Sequence, residues 1–259
     1  MKLIDIHSHL NFPDFDSDRE EVIQKLKKEG IATITVGTNL QTSREAVALA
    51  ERYEHLWATV GIHPHEASET YDSVELLELT KHPKTVAIGE CGLDYFKLAD
   101  ESLKHKQKEL FLAQIEIARQ VGKPLMLHIR EAYEKVLAIL EQNKDIKAHA
   151  HFFAGDWEVA KKFLALGHTL SVTGVITFTT DYDEVIKNIP LDRLMIETDA
   201  PYVAPVPYRG KRCEPAYVKY VAKRIAEIKG LTFNEVAQVT SQNTKRVFNL
   251  QNQTFNVWF

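Results

Sequence analysis

Short apolar runs alternate with longer amphipathic segments along almost the whole chain. Eight runs resemble buried strands, and they cover residues 3–6, 31–36, 56–62, 85–88, 125–127, 146–150, 169–172 and 194–196. The segments between the runs have helical periodicity, as where Phe111, Ile115 and Ala118 recur on one helix face. Strand and helix in repeated alternation are typical of a parallel sheet covered by helices.

Local signals predict where several of these helices begin and end. Four starts are predicted where a capping residue is followed three positions later by glutamate, at Thr42 with Glu45, Asp72 with Glu75, Asp181 with Glu184, and Thr232 with Glu235. Three helix ends are predicted at Gly30, Gly122 and Gly230, where glycine can adopt the left-handed conformation.

Residues of metal-binding type follow the ends of at least five runs. They are His7 and His9 after the first run, Glu90 after the fourth, His128 after the fifth, His151 after the sixth and Asp199 after the last. Side chains so far apart in sequence can converge only if their strands run side by side and end on one rim. A closed barrel meets this condition, whereas an open doubly wound sheet would place its crevice at one switch point.

We therefore predict the α/β class and a TIM (β/α)₈ barrel of the metal-dependent hydrolase type. The 259 residues suit one such barrel, so residues 1–250 are expected to form a single domain and residues 251–259 a C-terminal tail. No internal repeat, low-complexity segment or linker divides the chain.

Charge and cysteine content exclude several classes of protein. The sequence has 32 Lys and Arg residues and 36 Asp and Glu residues, which gives a net charge of -4. Because the overall charge does not attract nucleic acid, phosphate binding would have to come from a local cluster of basic residues. Two distant cysteines give no disulfide framework. The first residues do not predict a signal peptide, and no stretch of roughly 18 apolar residues predicts a membrane helix. We expect a soluble cytoplasmic protein that works as a monomer without an obligate protein partner or a membrane.

The first run predicts one half of a metal centre. Because side chains alternate along a strand, His7 and His9 would point to the same side and could share an ion. Asp5, on that side but one step deeper, would either orient a ligating imidazole or be a buried structural carboxylate.

The remaining ligands predict a second ion and the catalytic groups. Glu90 has two carboxylate oxygens and could bridge two cations, while His128 and His151 could hold the second of them; His149 lies one level deeper. Asp199 would meet the first strand where the barrel closes, and it could also accept a proton from the attacking water. Each residue alone has a structural explanation, but six in step with the strands predict a metal centre with Asp199 and Glu90 as its catalytic groups.

Basic and aromatic residues on the predicted rim loops could contact a substrate. The candidates for binding phosphate are His63, His65, Lys97, Arg130, Arg209 and Arg212. The aromatic residues that could stack on an unpaired base, or simply pack, are Tyr95, Phe152, Phe153, Tyr202 and Tyr208. No helix-turn-helix or zinc-finger spacing occurs, so a single-stranded or frayed end is a better candidate substrate than a specific duplex sequence.

Several motifs together resemble a known family. DIHSHL, GIHPH, GECGLDY, HIREAY, HFFAG, IETDAPY and YRGKRCEPAYV occur in this order and look like the TatD-type metal-dependent deoxyribonucleases of the amidohydrolase superfamily. The resemblance covers about residues 3–250. It implies a TIM barrel with His7, His9 and Asp199 on one metal, His128 and His151 on the other, and Glu90 shared. The sequence departs from the family pattern at Cys213, Lys97 and residues 152–154, which affects the inferred substrate preference.

The resemblance implies removal of nucleotides from a DNA 3′ end, with roles in DNA repair or degradation. Two divalent ions are expected as cofactors: the imidazole-rich donor set favours zinc on isolation, while magnesium or manganese could support activity. Two other functions stay open. One is an ester or amide hydrolase using the same site, such as a D-aminoacyl-tRNA deacylase, and the other is a non-enzymatic binding barrel.

Overall fold

The computed structural model describes residues 2–250; Met1 and the predicted tail, residues 251–259, lie outside the described residues. Eight parallel strands form one sheet in sequence order, each paired with the next. They are β1 Leu3–Ser8, β2 Ile31–Val36, β3 Leu56–Val60, β4 Thr85–Asp94, β5 Leu125–Arg130, β6 Ala148–Ala150, β7 Thr169–Val172 and β8 Leu194–Ile196. A parallel bridge between Ser8 and Ala200 brings the segment after β8 against β1, and the predicted (β/α)₈ barrel is confirmed.

Helices connect the strands and cover the outside of the barrel. They are α1 Arg19–Glu29, α2 Leu40–Arg52, α3 Ser73–Lys81, α4 Glu101–Val121, α5 Tyr133–Glu141, α6 Trp157–Ala165, α7 Asp183–Asn188, α8 Val218–Lys229 and α9 Phe233–Val247. The predicted apolar face of α4 is buried, with Phe111 and Ile115 fully enclosed between helix and sheet. None of the helices within residues 2–250 is long and apolar enough to cross a membrane.

A second apolar cluster fills the inside of the barrel. It consists mainly of strand residues, among them Ile4, Ile34 and Trp57, and each of these is fully buried. Phe248 and Leu250, which follow α9, belong to the same cluster. The inside of the barrel is therefore a packed core rather than a pore.

Most of the predicted helix boundaries are confirmed. Asp72 caps α3 by accepting the backbone N–H of Val74 and Glu75, and Thr232 forms a reciprocal capping box with Glu235 at the start of α9. The predicted helix ends at Gly30, Gly122 and Gly230 have φ angles of 69°, 66° and 66°, the left-handed values that favour glycine.

Two predicted helix starts are wrong. Helix α2 begins earlier, because Asn39 is its N-cap and Thr42 is the partner that returns the hydrogen bond to Asn39. A threonine hydroxyl thus fills the place that the predicted pattern reserved for glutamate. Helix α7 begins at Asp183 after Tyr182 and has no side-chain cap, so Asp181 does not start it.

Strand β4 is longer than predicted, and this places a key carboxylate. It extends through Asp94, and its pairing with β5 shifts register between Ile88 and Cys91. A Cβ on Gly89 would lie 2.5 Å from the carbonyl oxygen of Met126, so only glycine permits this approach of β4 to β5. The predicted apolar run ended at residue 88, just before Gly89, so it covered only the first part of the strand. Glu90 therefore lies within β4 rather than after it.

Side-chain ion pairs join the two ends of the barrel from outside. Lys25 and Glu29 of α1 pair with Glu214 and Lys219 at nitrogen–oxygen distances of 2.6 and 2.7 Å. These contacts link the first helix to the segment that follows β8, across the seam between β1 and β8.

His168, immediately before β7, is a buried imidazole outside the rim. It is 3% exposed, and burial lowers its pKa to about 4. Below the ordinary histidine pKa of roughly 6.5, His168 is protonated in the unfolded chain, whereas in the folded protein it stays neutral until the pH approaches the lowered value. The free energy of unfolding is therefore unaffected by His168 above about pH 6.5 and decreases as the pH falls from there toward the pKa of the folded protein.

We expect the variant His168→Gln to have a flatter pH dependence of stability than the wild type. Between about pH 7 and about pH 5 the wild type should lose about 2 kcal/mol more of its free energy of unfolding, because the variant has no proton to gain at this position. Urea unfolding at both pH values measures the difference. Equal losses in both proteins would contradict the burial argument.

Candidate metal centre

A cavity of about 710 Å³ opens at the carboxyl ends of the strands. Its lining includes five of the six predicted metal ligands, namely His9, Glu90, His128, His151 and Asp199. His7 lies beneath them and is fully buried. The barrel thus brings the dispersed side chains to one rim, as parallel strands require.

The first group joins β1 to the segment after β8. Nε2 of His7 and Nε2 of His9 are 3.3 Å apart, and Oδ1 of Asp199 is 3.6 and 3.5 Å from them. The backbone N–H of Asp199 donates to the carbonyl of His7 at 2.9 Å, which fixes the carboxylate beside both rings. These three donors can hold one cation.

Glu90 lies between this group and a second one. Its Oε1 is 2.8 Å from Nδ1 of His128 and 2.8 Å from Nε2 of His151. Its Oε2 is 3.5 Å from Nε2 of His7 and 3.9 Å from Nε2 of His9. One carboxylate thus presents a separate oxygen to each pair of imidazoles, which is the geometry that a shared ligand needs.

In His9 and His128, the ring nitrogen that does not face the other candidate ligands lies next to a hydrogen-bond acceptor. Nδ1 of His9 donates to the carbonyl of Val36 at 3.1 Å, so its Nε2 keeps a lone pair for the cavity. Nε2 of His128 is 3.0 Å from Oδ2 of Asp94, which leaves Nδ1 facing Glu90. Acceptors of this kind fix the tautomer of metal-binding histidines. Sequence reasoning missed Asp94, although it lies in the GLDY motif four residues after Glu90.

The charge states also fit a divalent cation. Burial acts to raise the pKa of Glu90, but electrostatic interaction with the imidazoles of His151 and His7 and the contact with His128 hold it well below its usual range. Burial similarly opposes ionisation of Asp199, and its interactions with the imidazoles of His9 and His7 outweigh it, so the pKa is lowered. Imidazole and carboxylate donors without thiolate suit zinc or manganese.

Asp5 does not orient a ligand, which leaves the structural alternative. The register of β1 shifts between Asp5 and Ser8, so the alternation that predicted a common side for Asp5 and His7 is broken. Asp5 is fully buried and accepts the backbone N–H and the hydroxyl of Thr198 at 2.8 and 2.7 Å. It therefore joins β1 to the end of β8.

His63, a predicted phosphate contact, lies beside the centre. Its Nε2 is 3.7 Å from Oε1 of Glu90, and its Nδ1 accepts the backbone N–H of His65 at 3.1 Å. Burial lowers the pKa of His63 to about 3, so the ring is neutral and carries its proton on Nε2. Such a ring offers a donor to the cavity rather than a lone pair to a metal.

The other predicted phosphate contacts fall into two sets. His65 and Arg130 line the cavity, whereas Lys97, Arg209 and Arg212 do not. Arg212 makes two bonds of 2.7 and 2.6 Å to the carboxylate of Asp18, and Arg209 covers the ring of Phe178 at 3.6 Å. Contact of Lys97, Arg209 and Arg212 with a substrate stays a prediction.

The predicted aromatic contacts divide in the same way. Phe152 and Tyr202 line the cavity, together with Phe12, which sequence reasoning missed although it follows His9 by three residues. Tyr95, Phe153 and Tyr208 do not line it, and Phe153 is buried against other rings.

A parallel (β/α)₈ barrel that presents histidines and carboxylates at its C-terminal rim defines a class of metal-dependent hydrolases. Within this class the chain belongs to the TatD family, because the profile of the TatD related DNases matches residues 4–249.

Relatives agree with this assignment over nearly the full length. An uncharacterized metal-dependent hydrolase, YabD of Bacillus subtilis, is 43% identical, with 96% of this chain and 99% of that protein covered. The 3′-5′ ssDNA/RNA exonuclease TatD of Pectobacterium carotovorum is 35% identical, with 96% and 100% covered. The crystal structure of YJJV, a TatD homolog from Escherichia coli, superposes with a TM-score of 0.87 at 30% identity over 96% and 98% of the two chains.

We expect the variant Glu90→Gln to bind fewer divalent ions than the wild type. The amide removes the charge that faces both groups of imidazoles, so both positions should weaken, whereas Asp199→Asn should weaken only the position near His7 and His9. Elemental analysis after equilibration with buffered zinc measures the bound ions. Glu66→Gln, which changes another carboxylate of the same cavity, is the control. Unchanged metal content in Glu90→Gln would remove the shared-ligand assignment.

Proposed function

We propose that the protein is a metal-dependent nuclease that releases nucleotides from the 3′ end of single-stranded DNA. The observation that carries this proposal is Glu90, whose two oxygens face two groups of imidazoles on one rim. Two divalent ions bound there would supply Lewis acidity, which lowers the pKa of water and offsets the negative charge of a phosphodiester. The name of the Pectobacterium relative supports the 3′-5′ polarity and adds RNA as a polymer to assay.

The proposed ligand sets follow the two groups in the cavity. His7, His9 and Asp199 would hold one ion, His128 and His151 would hold the other, and Glu90 would be shared. The donor set favours zinc in the isolated protein, and magnesium or manganese are candidates for the ion that supports activity. Asp94, through Nε2 of His128, keeps that ring oriented toward Glu90.

Two side chains are placed to handle protons and charge in the reaction. Asp199 is ionised and reaches the cavity, so it can accept the proton of the attacking water. His63 is neutral and directs Nε2–H into the cavity, so it can donate to an oxygen of the scissile phosphate. Asp199 therefore acts on the attacking water, and His63 acts on the phosphate that is attacked.

The mouth of the cavity suits an unpaired strand end. Arg130 supplies local positive charge for a neighbouring phosphate, which the chain needs because its net charge is -4, and His65 lines the cavity beside it. Phe12, Phe152 and Tyr202 offer ring faces on which unpaired bases can stack. We also propose that the protein works as a cytoplasmic monomer in DNA repair or degradation, which rests on the sequence alone.

We expect the protein to shorten a single-stranded oligonucleotide labelled at its 5′ end, with every intermediate product keeping the label. Activity should disappear on chelation and return when zinc, manganese or magnesium is added, because the cavity donors alone do not activate water. Electrophoresis of the products over time gives the polarity. A phosphorothioate linkage at the 3′ end should stop the reaction, while the same linkage at the 5′ end is the control.

The same assay distinguishes the alternative functions. Inertness on DNA and RNA combined with turnover of a D-aminoacyl-tRNA ester would favour the acyl hydrolase. Inertness on every ester and phosphodiester, with metal bound at full occupancy, would favour a binding barrel. Release of mononucleotides from the 5′ end would contradict the proposed polarity while keeping the chemistry.

We expect the variant His63→Ala to lower kcat on DNA by roughly 10²- to 10³-fold, as the loss of one preorganised donor does in other enzymes. Its metal content should equal that of the wild type, because Nε2 of His63 carries a proton and binds no ion. Elemental analysis and steady-state kinetics on the same preparation measure both. His65→Ala, at the mouth of the cavity, is the control and should change KM more than kcat. Loss of an ion in His63→Ala would make His63 a ligand instead.

A further inference from the structure

A buried carboxylate that sequence reasoning missed lies beneath both groups of the centre. Glu197 follows β8 directly and is fully buried. Its Oε2 is 3.6 Å from Nδ1 of His151 and 3.9 Å from Nδ1 of His7. Within residues 2–250 none of these three buried atoms has a hydrogen-bond partner. Three unsatisfied polar atoms therefore face one another in the same small space.

The two imidazoles form a matched pair between two carboxylates. The rings of His7 and His151 stack with their centroids 3.9 Å apart and their planes 14° from parallel. Their Nε2 atoms face the two oxygens of Glu90, at 3.5 Å for His7 and 2.8 Å for His151. Their Nδ1 atoms both face Oε2 of Glu197. A single carboxylate oxygen thus lies below rings that belong to different proposed ions.

A chain of hydrogen bonds fixes the orientation of Glu197. Its Oε1 accepts the backbone N–H of Phe152 and the hydroxyl of Ser171, the latter at 2.9 Å. Because the Ser171 hydroxyl donates to Glu197, it accepts from Nε2 of His149 at 2.7 Å, and Nδ1 of His149 then accepts from the hydroxyl of Thr169. Oε1 is therefore fully used, and Oε2 is left for the two rings.

The proton positions that satisfy this arrangement also suit metal binding. A buried donor or acceptor without a partner is costly, and a proton on Nδ1 of each ring would direct an N–H toward Oε2 of Glu197 from 3.6 and 3.9 Å. A neutral imidazole with its proton on Nδ1 keeps the lone pair on Nε2. In His7 and His151 that lone pair faces Glu90, where the ions are proposed to lie.

We propose that Glu197 is a positioning residue that accepts the Nδ1–H of both His7 and His151 and so prepares both ion positions at once. The inference rests on the metal centre of the proposed function, and it does not depend on which bond is hydrolysed. Its consequence is that one side chain, which touches no substrate, controls the affinity of two ions together.

The variant Glu197→Gln tests this assignment because it replaces the acceptor Oε2 with an amide NH₂, which is a donor. Because Phe152 and Ser171 donate to Oε1, the amide oxygen should occupy that position and the amide NH₂ should face the rings. Both Nδ1 atoms would then have to accept, which moves their protons to Nε2. We expect the zinc affinity of both positions to fall by about 10- to 100-fold, the usual effect of losing the acceptor behind a histidine ligand.

Two measurements read the effect without using activity. Long-range ¹H–¹⁵N spectra of metal-free, ¹⁵N-histidine-labelled protein at alkaline pH give the tautomer of each ring, with His7→Gln and His151→Gln to assign the signals. Wild-type protein should show the proton on Nδ1 of both rings, and Glu197→Gln should show it on Nε2 of both. Chelator competition gives the zinc affinities of wild type and variant. Glu66→Gln is the matched control and should leave tautomers and affinities unchanged.

Several outcomes would overturn the proposal. A proton on Nε2 of His7 or His151 in the wild type would overturn it, and this result does not require Glu197→Gln to fold. A tautomer change in only one ring, or wild-type zinc affinity at either position of a folded variant, would show that the acceptor is not shared. Inertness of the wild type on DNA would contradict only the proposed substrate, because neither measurement uses a nucleic acid.

Discussion

The contact between the end of β8 and β1 is the constraint on which the centre depends. Asp199 donates its backbone N–H to His7, His9 donates its own to Ala200, and Asp5 accepts two bonds from Thr198. These bonds join residues that are almost two hundred positions apart in sequence. Without them the carboxylate of Asp199 would have no fixed relation to the imidazoles of β1, and the first group of ligands would not exist.

The second group depends on how closely two neighbouring strands can approach. Gly89 and Gly92 leave room for the carbonyl oxygens of Met126 and His128, which a Cβ would meet at 2.5 and 2.1 Å. The close approach lets Glu90 reach both His128 and His151 within hydrogen-bond distance. The centre therefore combines a side-chain requirement, imidazoles and carboxylates, with a backbone requirement for glycine at defined positions of β4.

The order of strands and the gathering of the ligands were predictable from sequence, because parallel strands have one common rim. The six candidate ligands all follow from that argument together with their places after apolar runs; they are His7, His9, Glu90, His128, His151 and Asp199. Glu197 was not predictable in this way, since its role arises from the distances between its Oε2 and two rings on other strands. Asp94 and Phe12 were missed because their roles arise from side-chain contacts, of Asp94 with His128 on the neighbouring strand and of Phe12 with the ring of His9, and the pattern of apolar runs carries no information about such contacts.

The seam between β1 and β8 has a kinetic consequence for the two proposed ion positions. Within residues 2–250 the sheet continues there through an isolated bridge between Ser8 and Ala200 and the backbone bonds of His9 and Asp199, whereas β4 and β5 pair along five residues. Local opening is easiest where few backbone bonds must break. If the proposed ligand sets hold, an ion bound by His7, His9 and Asp199 would therefore exchange with solvent faster than one bound by His128 and His151, even where their equilibrium affinities are similar.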